Sequence, residues 1–127
     1  MVSILIIDDC EAIRENTAEL LELEGFQVIT AANGKEGFEK VIQFSPDLVV
    51  CDILMPEMDG FEVLRKLGAH PEFKTIPVIF FTAKNEKKYI AKALESGAYD
   101  YIVKPSELND LIASINRFIL NRNLSFS

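Results

Sequence analysis

Cysteine is scarce: Cys10 and Cys51 are the only two, too few for a disulfide scaffold, and both are read as small, buried, reduced side chains. Tryptophan is absent, and histidine occurs once, as His70 in the loop Gly68-Ala69-His70-Pro71, where it is read as a solvated loop residue. No apolar stretch approaches the roughly 20 residues of a membrane span. The N-terminus also lacks the charged-then-apolar pattern of a signal peptide. A cytoplasmic location without a membrane partner is therefore expected. Cations are short as well, with 13 Lys and Arg against 20 Asp and Glu and a net charge of -7. Phosphate contact needs clustered Lys and Arg, so no direct nucleic-acid partner is expected. There is no internal repeat, low-complexity tract or Gly/Ser linker. What remains is 127 residues of ordinary globular composition, 49% apolar and 26% charged, enough for one domain with a buried core.

Short continuous apolar runs recur near residues 4–7, 26–29, 48–51, 78–81 and 99–103. Strands buried on both faces read this way. Helical spacing fills the intervals. The first helix is expected from about Glu11 to Glu24, with Ile13, Thr17, Leu20 and Leu21 inward and Gly25 as its stop. The second carries Phe38, Val41 and Ile42 and ends before Ser45-Pro46. Asp59 and Glu62 form a capping-box pattern ahead of Phe61, Leu64 and Leu67. Asn85 is the expected cap of the fourth helix, with Tyr89, Ile90, Ala93 and Leu94 inward and Gly97 after it. Ser106 is the expected cap of the fifth, followed by Leu108, Leu111, Ile112, Ile115 and Ile119.

Five strand-helix units with right-handed crossovers give an α/β fold, a doubly wound five-stranded parallel sheet with helices on both faces. Sites in such sheets lie at the carboxyl ends of the strands, where strand order reverses. For order 2-1-3-4-5, flavodoxin-like, that crevice lies between strands one and three. Polar residues stand at those ends: Asp8-Asp9 after Ile4–Ile7, Asp52 after Leu48–Cys51, Thr82 after Val78–Phe81, and Lys104 after Tyr101–Val103. Three carboxylates, one hydroxyl and one ammonium in one crevice can hold a divalent metal and a phosphoryl group. Carboxylate oxygens are the hard ligands magnesium prefers. A cation there offsets the repulsion between an anionic nucleophile and an anionic phosphoryl group. No Ser/Thr/Gly-rich phosphate loop follows the first strand, which disfavours a flavin site.

From Ile4 to about Leu120 the chain resembles the receiver domains of two-component response regulators, similar to the chemotaxis-type single-domain regulators. The resemblance rests on Asp8-Asp9, on Asp52 with Met55-Pro56 and Asp59-Gly60 after it, on Thr82-Ala83, on Tyr101 and on Lys104-Pro105. An Asp-Asp pair alone would be a solvated turn or a helix cap; the combination is specific. The resemblance implies that Asp52 accepts a phosphoryl group from the phosphohistidine of a sensor histidine kinase or phosphotransfer protein. It implies that Asp9, Asp52 and the backbone carbonyl of Leu54 ligate Mg2+, with Asp8 helping through water. Thr82 and Lys104 are then the residues that hold the phosphoryl oxygens. Thr82 and Tyr101 are the switch that reshapes the face of helix four, strand five and helix five, and a cis Lys104-Pro105 peptide is implied too. Expected partners are a downstream protein or a fused output domain, with a phosphorylation-promoted homodimer through that face as an extension.

Two departures from the family pattern stand out. Leu54, two after the acceptor, and Lys84, two after Thr82, offer no general base to a hydrolytic water, so slow autodephosphorylation is expected. The domain catalyses its own modification and is not read as a turnover enzyme. The competing reading is a magnesium-dependent phosphatase working through an aspartyl-phosphate. It would want a second acid/base Asp where Leu54 stands. The expected organisation is a receiver over 1–121 and a short tail over 122–127, either standing alone or cut from a longer regulator.

Overall fold

The computed structural model describes residues 1–104 and 108–124. Its elements run β1 (Ser3–Ile7), α1 (Glu11–Leu23), β2 (Gln27–Ala31), α2 (Gly34–Phe44) and β3 (Leu48–Cys51), then α3 (Gly60–Gly68), β4 (Val78–Thr82), α4 (Lys87–Glu95), β5 (Asp100–Val103) and α5 (Leu108–Leu124). The strands form one sheet in the order β2-β1-β3-β4-β5, and every pair is parallel. The expected doubly wound flavodoxin-like architecture is therefore the observed one.

Period-two alternation along the strands builds two cores, one on each side of the sheet. Leu5, Ile7, Val49, Cys51, Val78 and Phe80 pack against Val41 of α2, Phe61, Leu64 and Leu67 of α3 and Ala93 of α4. Ile4, Ile6, Val50, Ile79, Phe81 and Ile102 pack against Ala18 and Leu21 of α1 and Leu111 and Ile115 of α5. The central strands bury both faces, which is why they read as unbroken apolar runs.

Several local expectations shift. Leu20, Ile42 and Leu94 are exposed rather than inward, and Ala18 takes the place expected of Leu20 in the core. The fourth helix starts after Glu86 without a side-chain cap, so Asn85 does not cap it. Ser106 and the Lys104-Pro105 peptide lie outside the described residues. Residues 122–124, expected in a tail, continue α5. Gly25 does stop α1: at φ +95° its N–H reaches the carbonyl of Glu22, and the N–H of Phe26 reaches that of Leu21.

Candidate phosphoacceptor site

Asp8, Asp52 and Lys104 each stand immediately beyond their strand, Thr82 is the last residue of β4, and Asp9 follows Asp8. Three backbone bonds extend the sheet by one step and fix those residues in space. Asp8 N–H donates to the Ala31 carbonyl at 3.1 Å, Asp52 N–H to Ile7 at 2.9 Å, and Lys104 N–H to Thr82 at 2.7 Å. Side chains on β1, β3, β4 and β5 are thus brought to one edge by main-chain geometry alone.

The structure brings five expected residues of this edge to one place. The Lys104 ammonium lies between two carboxylates, 2.8 Å from Asp8 Oδ2 and 3.3 Å from Asp52 Oδ2. Carboxylate oxygens of Asp8, Asp9 and Asp52 lie within 4.8 Å of one another. Asp8 is buried and Asp9 exposed. Backbone donors orient the two inner carboxylates: Cys10 N–H donates to Asp8 Oδ1 at 2.9 Å, and Ile53 N–H to Asp52 Oδ1 at 2.7 Å. Thr82 is buried beside them, and its Oγ1 accepts from the Lys84 N–H at a long 3.4 Å. The hydroxyl hydrogen remains a donor. Three convergent carboxylates with one ammonium are a hard-oxygen donor set, and they fit a magnesium ion.

The position of Asp52 depends on the loop that follows it. Gly60 N–H closes the loop on the Ile53 carbonyl at 2.9 Å. A Cβ on Gly60 would stand 2.5 Å from the Asp52 carbonyl oxygen, so only glycine allows α3 to begin this close to Asp52. Asp59 caps α3 as expected, its Oδ1 accepting from Glu62 N–H at 2.9 Å. Glu57 sits at φ +66°, a left-handed conformation costly for a side chain with a Cβ.

Tyr101 is half-buried and docked on the β4-α4 loop. Its hydroxyl donates to the Lys84 carbonyl at 2.6 Å, and its ring meets Phe80 edge-on at 6.2 Å. Burial, then the negative charges of Glu86 and Asp52, push its phenol up to about 12. The same chain of rings continues from Phe80 to Phe61 at 5.5 Å and from Phe61 to Tyr89 of α4 at 6.3 Å. Lys84 Nζ lies 3.9 Å from Glu86 and 5.6 Å from the Tyr89 ring centre, so its ammonium is engaged away from the crevice. Leu54 projects its side chain 53% exposed.

Two residues escaped sequence reasoning. Arg14 donates to the Asp8 carbonyl at 2.9 Å and so holds the turn that carries the acidic pair. As the lone cation among the acidic residues of α1 it was visible but unremarked. Phe81 presents its ring 5.2 Å from Lys104 Nζ. Both cysteines are free; the expectation of two small buried side chains holds for Cys51 but not for Cys10, and His70 stays a loop residue. Cys51 is buried, with its thiol pushed well up by burial and then by Asp52 and Asp8, and Cys10 is exposed. His70 stacks on Phe73 at 4.4 Å and accepts the Glu72 N–H through Nδ1.

A doubly wound parallel sheet with an aspartate crevice bridged by lysine at its reversal point defines a phosphoryl- or metal-binding α/β class. The response regulator receiver domain model matches residues 4–116, and the chain belongs to that family. It is 40% identical over 122 residues to the transcriptional regulatory protein AfsQ1 of Streptomyces coelicolor, covering 96% of this chain and 52% of that protein. It is 39% identical to the regulatory protein AtoC of Escherichia coli, covering 90% of this chain and 24% of that one. The chain thus spans about half or less of these relatives. Among solved structures, a response regulator receiver domain protein from Clostridium thermocellum superposes with a TM-score of 0.89 at 32% identity, covering 98% of each chain.

Proposed function

We propose that Asp52 is the phosphoacceptor, and that the receiver takes its phosphoryl group from the phosphohistidine of a sensor histidine kinase or phosphotransfer protein. The carrying observation is Lys104, whose one ammonium contacts both Asp8 and Asp52 across the strand-order reversal. In the transfer, an Asp52 carboxylate oxygen forms the new P–O bond as the donor P–N bond breaks, and the imidazole leaves. Lys104 swings its charge onto a phosphoryl oxygen, and the Thr82 hydroxyl donates to another. Asp8, Asp9, Asp52 and the Leu54 carbonyl would hold Mg2+, which neutralises the charge on the equatorial oxygens when bound.

The domain acts as a signalling acceptor rather than a turnover enzyme, in the cytoplasm, with residues 1–121 as the working unit. Slow autodephosphorylation follows from Leu54 and Lys84, neither of which can activate a water. The phosphatase reading is weaker, because Leu54 stands where an acid/base carboxylate would be needed. Transmission runs through Tyr101 and the α4-β5-α5 face toward a downstream protein or a fused output domain. The Asp100–Arg117 pair, 2.8 Å apart within one chain, opposes a homodimer that would use these two charges across a two-fold axis. A dimer of that kind requires this pair to exchange partners.

Acetyl phosphate with magnesium tests the assignment. One phosphoryl group per chain is expected by intact mass, acid-stable and base-labile. Asp52→Ala should abolish it, and Lys104→Ala should retain labelling while losing the change in amide exchange at the β4-α4 loop. Undiminished labelling of Asp52→Ala would overturn the proposal.

A further inference from the structure

One side chain of α1 reaches back over the turn that carries the acidic pair. Arg14 Nη1 donates to the Asp8 carbonyl at 2.9 Å, and the Arg14 side chain is only 14% exposed. Its ion pair with the exposed Glu15 is long, 3.8 Å, so solvent screening leaves that contact little weight. The carbonyl that Arg14 holds belongs to the Asp8-Asp9 peptide. Because that unit is planar, the same hydrogen bond fixes the plane containing the Asp9 Cα. The two aspartates differ in what else restrains them. Asp8 is anchored by Cys10 N–H on Oδ1, by Lys104 on Oδ2, and through its own N–H on the Ala31 carbonyl. Among the described residues no donor reaches the Asp9 carboxylate, which is exposed yet converges with those of Asp8 and Asp52. Cys10, the N-cap of α1, makes no side-chain hydrogen bond, so from the helix side Arg14 supplies the side-chain tie to the turn.

We propose that Arg14 is a positioning residue: by holding the Asp8-Asp9 peptide plane it sets the Asp9 carboxylate for a small octahedral dication and favours Mg2+ over Ca2+. The inference rests on the reading of Asp8, Asp9 and Asp52 as metal ligands. Magnesium demands near-ideal octahedral geometry at about 2.1 Å, whereas calcium accepts irregular shells at about 2.3 to 2.6 Å. Loosening the peptide plane behind one ligand therefore costs the smaller ion more. The guanidinium charge acts the other way, since a cation near the carboxylates repels either dication. Positioning and charge thus predict opposite signs for the removal of Arg14.

Amide NMR shifts at Asp9, Cys10 and Ile53, followed during titration with MgCl2 and with CaCl2, give both dissociation constants for the folded domain. Arg14→Met, which keeps the aliphatic stem and loses donor and charge, should weaken Mg2+ binding about tenfold and Ca2+ binding less than about threefold. Arg14→Lys, which keeps the charge and a donor, should retain the Mg2+ preference to within about threefold of the wild type. Arg14→Gln, whose side chain is shorter, repeats the test if the methionine variant does not fold. An unchanged ratio of the two constants, or tighter Mg2+ binding on removal of Arg14, would overturn this inference alone. A wild-type domain that binds neither ion would overturn the ligand reading and the inference with it.

Discussion

At the residue scale, charge and backbone strain make separate demands. Glu57 holds a left-handed conformation that glycine adopts freely, so Glu57→Gly should stabilise the fold by up to about 1 kcal/mol in urea unfolding, since the released strain exceeds the extra chain entropy. An unchanged or lower midpoint would show that the Glu57 side chain makes compensating contacts. Tyr101 has a folded-state value near 12 against an ordinary value near 10. The fold favours the neutral phenol, so its contribution to stability is whole below about pH 10 and is lost as pH rises through about 12. Chemical denaturation across that window should show a steeper loss for the native protein than for Tyr101→Phe. Parallel loss in both would contradict the docked position. Asp8, Asp52, Thr82 and Lys104 were legible from sequence because each ends a run whose burial fixes its address. Arg14 and Phe81 were not, because their roles arise from a backbone carbonyl and a ring face that composition does not reveal.

At the element scale, β1, β3, β4 and β5 were legible to within a residue at each end, the edge strand β2 was expected over 26–29 and runs Gln27–Ala31, and helix faces were less legible. A strand buried on both sides leaves no ambiguity of phase. An amphipathic helix leaves the edges of its stripe to be decided by its neighbours, and Leu20, Ile42 and Leu94 fall on such edges and remain exposed. The fourth helix lacks the cap expected from Asn85 and buries only Ala93 fully, the fewest core residues of any helix among the described residues. Helix α3 is the opposite case. Its start is pinned by Asp59 and by the close approach of Gly60 to the Asp52 carbonyl. Gly60→Ala should therefore destabilise by about 1 to 3 kcal/mol and also slow labelling by acetyl phosphate, since the acceptor's own backbone must shift. Loss of stability with an unchanged labelling rate would separate the two effects and disprove the second.

At the scale of the whole molecule, the reversal of strand order gathers three carboxylates and one lysine at one edge of an acidic domain. Magnesium should raise the melting temperature by mass action, adding about 1.4 kcal/mol at ten times its dissociation constant. Asp52→Asn should reduce that gain; an equal magnesium effect in both proteins would remove Asp52 from the metal site. The doubly wound parallel sheet was legible from the alternation of strands and helices, because chirality leaves few ways to wind five such units, and the crevice follows once the order 2-1-3-4-5 is taken. The docking of the Tyr101 hydroxyl on the Lys84 carbonyl was not legible, because it depends on a loop carbonyl that no sequence pattern reveals. The most direct test of Asp52 as acceptor is residue-level mapping. Protein treated with acetyl phosphate and magnesium is reduced with borohydride, which converts an aspartyl phosphate to homoserine, and is then sequenced by tandem mass spectrometry. Homoserine at position 52 alone is the expected result; homoserine at Asp8, Asp9 or another carboxylate, with Asp52 intact, would contradict it.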